Sequence, residues 1–376
     1  MTPPAIPAAS RLYLRPVQFV DTPVGRDGQV ARLAGGMSWF AGWHVIAVDG
    51  GARVAERHVA VADFDAFAAT LAEPQAQRLQ SLATAIQRPR APLKLGERTL
   101  RLDQPQVMGI LNLTPDSFSD GGKHLGDVDA SVRAAVEMTE QGAALIDVGG
   151  ESTRPGAATV WEGDEVARVV PVIERLARTG TPVSIDTRKA AVMEAALAAG
   201  AHLINDVAAL AFDPRAVEVA AGAGCPVVLM HSPDPAKGPH GDPGYADPLI
   251  EVFDWLAARV DAVVARGVDR ANIVVDPGIG FGKSVADNLA LLNGLALFHG
   301  LGCPILLGAS RKRLIGALAN EAPVDRRLGG SLALALTGAA QGAQLIRVHD
   351  VAETVQALRV RRGMIDAALT ARVPGA

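Results

Sequence analysis

Two rhythms of apolar and polar positions run along this chain. From Val107 onward, short apolar runs that each end in a polar residue alternate with longer stretches of helical periodicity. A continuous apolar run reads as a strand buried on both faces, and the stretch after it as an amphipathic helix. The clearest unit is AALIDVGGESTRPG, residues 143–156: an apolar run, two glycines, then Glu151, Ser152, Thr153 and Arg154. The same order of strand, polar turn and helix returns throughout. Strands are predicted at 107–113, 144–148, 183–186, 202–207, 226–231, 272–276, 304–308 and 344–349. The helices between and after them fall at 127–141, 161–178, 189–199, 213–223, 248–266, 284–298, 328–341 and 351–369. Gly200, Gly224, Gly267 and Gly342 close helices where a left-handed cap is expected. Eight such repeats over about 265 residues match the count and size of a closed (β/α)8 TIM barrel. A doubly wound open sheet would use fewer strands and carry a dinucleotide fingerprint.

Residues 1–104 follow another rhythm. LYLRPVQFV (12–20) and SWFAGWHVIAV (38–48) read as strands, and 62–87 as one helix stopped by Pro89. LKLGERTLRL, 93–102, reads as a hairpin turning at Gly96, placed to plug the floor of the barrel. No chemical motif appears in this part. The expectation is therefore an α/β chain: an N-terminal α+β extension over 1–104, serving packing or oligomerisation, and a barrel over 105–376.

Composition narrows the classes. The 376 residues are 49% hydrophobic and 20% charged, as a globular chain should be. A net charge of -4 gives no bulk attraction to nucleic acid or an acidic membrane, so any anion site must be local. Cys225 and Cys303 each begin an apolar run and read as reduced core thiols. No basic segment leads into an apolar one at the start, and no apolar run is long enough to span a bilayer. A cytoplasmic protein is expected.

In a barrel of this kind the chemistry sits at the C-terminal ends of the strands. Reading those ends gives Asn112, Asp147, Asp186, Asn205, His231, Asp276, Ser310, Arg347 and His349. One such residue is most simply a helix cap. A polar group at every strand end implies a ligand, because each buried polar group left unpaired costs about 1–3 kcal/mol. Asp186, Asn205, Asp276 and Lys312 supply acceptors, an amide and a cation, which suits a flat heterocycle with an amino-pyrimidinone edge. Arg154, Arg347 and His349, beside glycine-rich turns, suit a phosphate or pyrophosphate. Asn112 and Asp120, hard oxygen donors on the first loop, suggest Mg²⁺. DPGIGFGKS, 276–284, resembles a P-loop, but Pro277 stands where the first glycine belongs. No histidine or cysteine spacing suggests zinc.

MGILNLTPDSFSDGG (108–122), IDVGGESTRPG (146–156), SIDT (184–187), INDV (204–207), DPGIGFGK (276–283), SRK (310–312) and IRVHD (346–350), in this order, resemble dihydropteroate synthase. The resemblance runs from about residue 105 to the C-terminus. It implies condensation of 6-hydroxymethyl-7,8-dihydropterin pyrophosphate with para-aminobenzoate in folate biosynthesis, by a homodimer that is a sulfonamide target. It places the pterin on Asp186, Asn205, Met230, Asp276 and Lys312, and pyrophosphate on Asn112, Thr153, Arg154, Arg347 and His349. Mg²⁺ falls to Asn112 and Asp120, and para-aminobenzoate to Phe118, Pro155, Phe281, Ser310 and Arg313. Asp120, Arg154, Asp186, Lys312 and Arg347 are the catalytic set that it implies. The position after Lys312 is often serine in the family, and here it is Arg313. The loop after His231 also departs from the family pattern. Two other readings share part of this inventory: a pterin barrel that passes a methyl group to a corrinoid, and a non-catalytic pterin binder.

Overall fold

The computed structural model describes residues 5–114, 127–154, 156–234 and 244–370. The chain opens with four antiparallel strands: β1 (Arg11–Val20), β2 (Ala31–Arg32), β3 (Trp39–Asp49) and β4 (Ala52–Ala60). β3 is central, with β1 on one side and β2 and β4 on the other. Two helices follow, α1 (Phe64–Ala68) and α2 (Glu73–Gln87). The single helix expected over 62–87 is broken between them. Pro74 occupies the first turn of α2, where its missing N–H costs nothing, and so it starts a new helix.

The hairpin of β5 (Leu93–Leu95) and β6 (Arg98–Leu100) turns at Gly96, whose φ of 62° needs a residue without Cβ. Leu93, Leu95, Leu100 and Leu102 pack as one cluster with the inward side chains of the barrel strands, among them Met108, Leu145, Leu203 and Leu345. The hairpin fills the end of the barrel opposite the polar strand ends, as the sequence suggested.

The barrel strands are β7 (Gln106–Asn112), β8 (Leu145–Gly149), β9 (Val183–Asp186), β10 (Leu203–Asp206), β11 (Val227–Met230), β12 (Ile273–Asp276), β13 (Leu306–Leu307) and β14 (Leu345–Val348). All pair in parallel, in the order β12-β11-β10-β9-β8-β7-β14-β13. A parallel bridge from Val275 to Ile305 closes the ring. The helices between strands are α3 (Val128–Glu140), α4 (Glu162–Arg178), α5 (Ala190–Ala198), α6 (Ala216–Ala223), α7 (Pro248–Val264), α8 (Val285–Asn293), α9 (Arg313–Leu318), α10 (Leu328–Ala340) and α11 (Val351–Thr370). Two details depart from expectation. The helix predicted over 284–298 ends at Gly294 and continues as a tighter 3₁₀ turn, Leu295–Leu301. The short α9, absent from the periodic pattern, follows Lys312 directly. No helix among the described residues is long and apolar enough to cross a membrane.

Candidate active site

Parallel strands place their last residues at one mouth, so side chains far apart in sequence meet there. Arg347, in β14, reaches over β7 to two carboxylates. Its Nε donates to Asp147 Oδ2 at 2.6 Å and its Nη2 to Asp186 Oδ2 at 2.7 Å. Asn205 Nδ2 donates to the same Asp147 oxygen at 2.9 Å. Asn112 ends β7, and its Oδ1 faces Gly149, where an added Cβ would lie 3.6 Å from it and 3.5 Å from Asp186. Four strand ends are thus tied together.

Burial sets the charges in this mouth. It pushes the Asp186 carboxyl up to about 7, with Arg347 opposing the rise. It raises Asp276 too, against the pull of Lys312. Lys312 is lowered by burial to about 8, with Asp276 opposing. Its Nζ donates to the Ile279 carbonyl and lies 4.3 Å from the centre of the Phe281 ring. For Arg347, burial is outweighed by Asp147 and Asp186, and its pKa rises.

His349 is neutral. Burial, then the nearby Arg347, Arg311, Arg154 and Lys312, bring it down to about 3. Ser310 Oγ accepts from the His349 backbone N–H at 3.2 Å and lies 3.0 Å from Nδ1. The hydroxyl has one proton and two lone pairs, so which of Oγ and Nδ1 donates follows the histidine tautomer. Beside these two, Arg311 pairs with Asp350 and binds the strand ends of β13 and β14 together.

The loop from Asp276 to Lys283 is shaped by its own lysine. Lys283 Nζ donates to the carbonyls of Gly278 at 2.9 Å, Phe281 at 3.1 Å and His231 at 3.4 Å. Gly278 has φ 70° and could not carry a Cβ, which would sit 2.0 Å from the His231 oxygen. Asp276 Oδ1 accepts from the Gly278 N–H at 2.7 Å. The P-loop look of this segment is therefore a compact turn that faces Lys312.

The second loop, which carries Thr153 and Arg154, is held at both ends. Glu151 accepts from the Val160 N–H at 2.9 Å and pairs with Arg188 at 3.1 Å and Lys189 at 3.1 Å. Lys189 also donates to the Val160 carbonyl at 2.7 Å and to the fully buried Glu165 at 2.6 Å. Burial alone would raise Glu151, but Arg188, the Val160 amide and Lys189 bring it below the usual carboxylate range.

Of the residues expected here, Asn112, Asp186, Asn205, Met230, Asp276, Ser310, Lys312, Arg347 and His349 end strands or begin the turns after them, all at this mouth. Phe281 joins them through Lys312. Thr153 is half-buried, Arg154 is exposed, and Arg313 is exposed at the start of α9. Phe118, Asp120 and Pro155 lie outside the described residues. Sequence reasoning gave Asp147 no role, although a carboxylate inside the apolar run ALIDV was the signal for it. It also passed over Lys283, Glu151 and Lys189.

Hard oxygens suit Mg²⁺. Asn112 Oδ1, next to the Asp186 carboxylate, fits that donor chemistry, while its expected companion Asp120 is not described. No cluster of three or more His, Cys, Asp or Glu among the described residues is arranged to hold a metal.

A closed parallel barrel that gathers an amide, carboxylates, a lysine and an arginine at its mouth is built like an enzyme for a flat polar heterocycle. The model of the family described as pterin binding enzyme matches residues 108–349, and the chain belongs to that family. Relatives named dihydropteroate synthase match it over most of their length. That of Escherichia coli K12 is 47% identical over 275 residues, covering 73% of this chain and 95% of the relative. That of Bacillus subtilis is 45% identical over 261 residues, covering 69% and 88%. The Xanthomonas albilineans dihydropteroate synthase solved with 4-aminobenzoic acid is 49% identical, with a TM-score of 0.68 over 73% of this chain and 98% of that one. The same organism's enzyme in complex with 7,8-dihydropteroate is 47% identical, with a TM-score of 0.65 over 72% and 98%. A Yersinia pestis dihydropteroate synthase with a sulfonamide drug matches at 46% identity and a TM-score of 0.69, over 73% and 99%.

Proposed function

We propose that the barrel mouth divides into a patch for the pterin and a patch for its diphosphate. The chain is a transferase that condenses 6-hydroxymethyl-7,8-dihydropterin pyrophosphate with para-aminobenzoate, giving 7,8-dihydropteroate and pyrophosphate. The observation that carries the division is one oxygen. Asp147 Oδ2 accepts from both Asn205 and Arg347, so a base-reading amide and an anion-binding guanidinium are neighbours.

Asp186, Asn205, Asp276 and Lys312 hold the pterin edge, with Met230 beneath the ring. Arg347, Arg154, Thr153, His349 and Asn112 hold the diphosphate. As the bond from the pterin methylene carbon to the pyrophosphate oxygen breaks, the electron pair leaves with the pyrophosphate. Arg347 stabilises that growing negative charge, and Asp186 the positive charge spread into the dihydropterin. The arylamine nitrogen then forms its bond to the methylene carbon and loses a proton. An aromatic amine is a free base at neutral pH, so no strong general base is required. Mg²⁺ bound at Asn112 and Asp120 would neutralise part of the leaving group's charge. Phe118, Pro155, Phe281, Ser310 and Arg313 would wall the aminobenzoate pocket. A cytoplasmic homodimer through the barrel helices accompanies this reading, supported by exposed Val360 and Met364 on α11.

The experiment is pyrophosphate release from the pterin diphosphate and Mg²⁺, with and without para-aminobenzoate. Release that depends on the arylamine is expected. Release at the same rate in its absence would overturn the assignment, and no release with retained folate binding would point to methyl transfer.

A further inference from the structure

The residues ahead of the barrel lie outside the matched family region, yet they grip one barrel helix at two points. Arg53, on β4, makes a two-pronged contact with Asp247: Nε to Oδ2 at 2.6 Å and Nη2 to Oδ1 at 3.2 Å. Asp247 is also the N-cap of α7. Two turns further along, Asp254 accepts from the Tyr13 hydroxyl at 2.6 Å and pairs with Arg11 at 3.1 Å. Residues seven apart on a helix share a face, so both grips fall on one side of α7. The buried Tyr13 ring also meets Phe253 edge-on at 5.7 Å.

Beside each gripped aspartate stands an aromatic that faces the site. Tyr245, two residues before Asp247, tilts against His231 with ring centres 6.0 Å apart. Trp255, next to Asp254, meets the same imidazole edge-on at 4.9 Å. His231 follows Met230 at the end of β11. Its backbone N–H donates to the Asp276 carbonyl at 2.9 Å, and its carbonyl accepts from Lys283. A continuous path of contacts therefore runs from β1 and β4, through α7, to the wall that carries Met230 and Asp276.

We infer that the N-terminal extension is a positioning element for the reaction: by gripping α7 at Asp247 and Asp254 it fixes Tyr245 and Trp255 on His231, and so sets the pterin side of the site. A packed helix held on one face transmits a small displacement to the other, because close-packed interiors have little slack. Arg53 and Tyr13 touch no substrate and act only through α7. The inference deepens the synthase reading and rests on it for its kinetic test.

The test compares the full-length chain with the double variant Tyr13→Phe/Arg53→Met, with Arg53→Lys alone, and with Arg57→Ala as the control. Arg57 is half-buried, donates to the Glu56 carbonyl and takes no part in the grip on α7. Expected is a rise of roughly fivefold in KM for the pterin diphosphate in the double variant. KM for para-aminobenzoate should stay within about twofold, and Arg53→Lys, which keeps the charge but loses the two-pronged contact and leaves Tyr13 in place, should show only part of the rise. Amide exchange over residues 248–256 and 227–231 should quicken in the double variant alone. Unchanged exchange in those segments overturns the inference whether or not the chain turns over. So does a rise in both KM values that only tracks a falling melting temperature. If the wild-type chain shows no arylamine-dependent release, the synthase reading falls, and the exchange result still decides the grip.

Discussion

Arg347 Nε and Asp147 Oδ2 are joined at 2.6 Å across the intervening strand β7. The carboxylate has no exposure to solvent, and its second oxygen, Oδ1, has no hydrogen-bond partner in the described structure. Removing Asp147 leaves Arg347 with Asp186 alone and takes the acceptor from the buried Asn205 amide. Asp147→Ala should lower folding stability by about 3 kcal/mol in urea unfolding. Asp147→Asn, whose carbonyl oxygen still accepts, should cost less. Equal losses would show that charge is not what matters at this position.

The pterin patch should have a narrow pH window. Asp186 is raised to about 7 and must be ionised to accept from the pterin, so binding weakens as pH falls through that value. Lys312 is lowered to about 8 and must be protonated to donate, so binding weakens as pH rises past it. Calorimetric titration of the free dihydropterin should give a bell centred between the two values. A flat profile from pH 5.5 to about 9 would contradict these roles.

Ser310 has two readings, and one variant separates them. If its hydroxyl sets the His349 tautomer, Ser310→Ala should raise KM for the pterin diphosphate about tenfold, the cost of one misdirected hydrogen bond. Should KM rise only for para-aminobenzoate, Ser310 instead belongs to the wall of that pocket.

Lys189 holds both ends of the second loop and neutralises Glu165. Lys189→Met should destabilise the fold by about 3 kcal/mol, since Glu165 stays buried without its partner. The double variant Lys189→Met/Glu165→Leu should recover most of that stability, because an apolar pair of similar volume carries no desolvation cost. Thermal melting of the three proteins checks it. Failure of the double variant would place the main dependence on Glu151.

The barrel was legible because each buried strand is an unbroken apolar run and each run stops at a polar residue. The mouth was legible for the same reason: Asn112, Asp186, Asn205, Asp276 and Arg347 are the stops. Asp147 was read as a stop but given no task, because only the folded ring brings it under Arg347. Glu151 and Lys189 escaped because they come from different repeats, and no spacing rule relates them. The break before α2 was written in the sequence as Glu-Pro at 73–74, yet the alanine-rich flanks masked it. Lys283 was passed over once Pro277 ruled out a P-loop. Its ammonium spends its hydrogen bonds on three backbone carbonyls, a pairing that only coordinates reveal.

The leucines of the hairpin turning at Gly96 have a practical corollary. They stopper the lower well of the ring, but the chain supplies them before the first barrel strand begins. A version trimmed back to Pro105 would keep every matched motif and still leave that well open to water. Leu93 is therefore the latest starting point that keeps the stopper in a shortened barrel, twelve residues before Pro105.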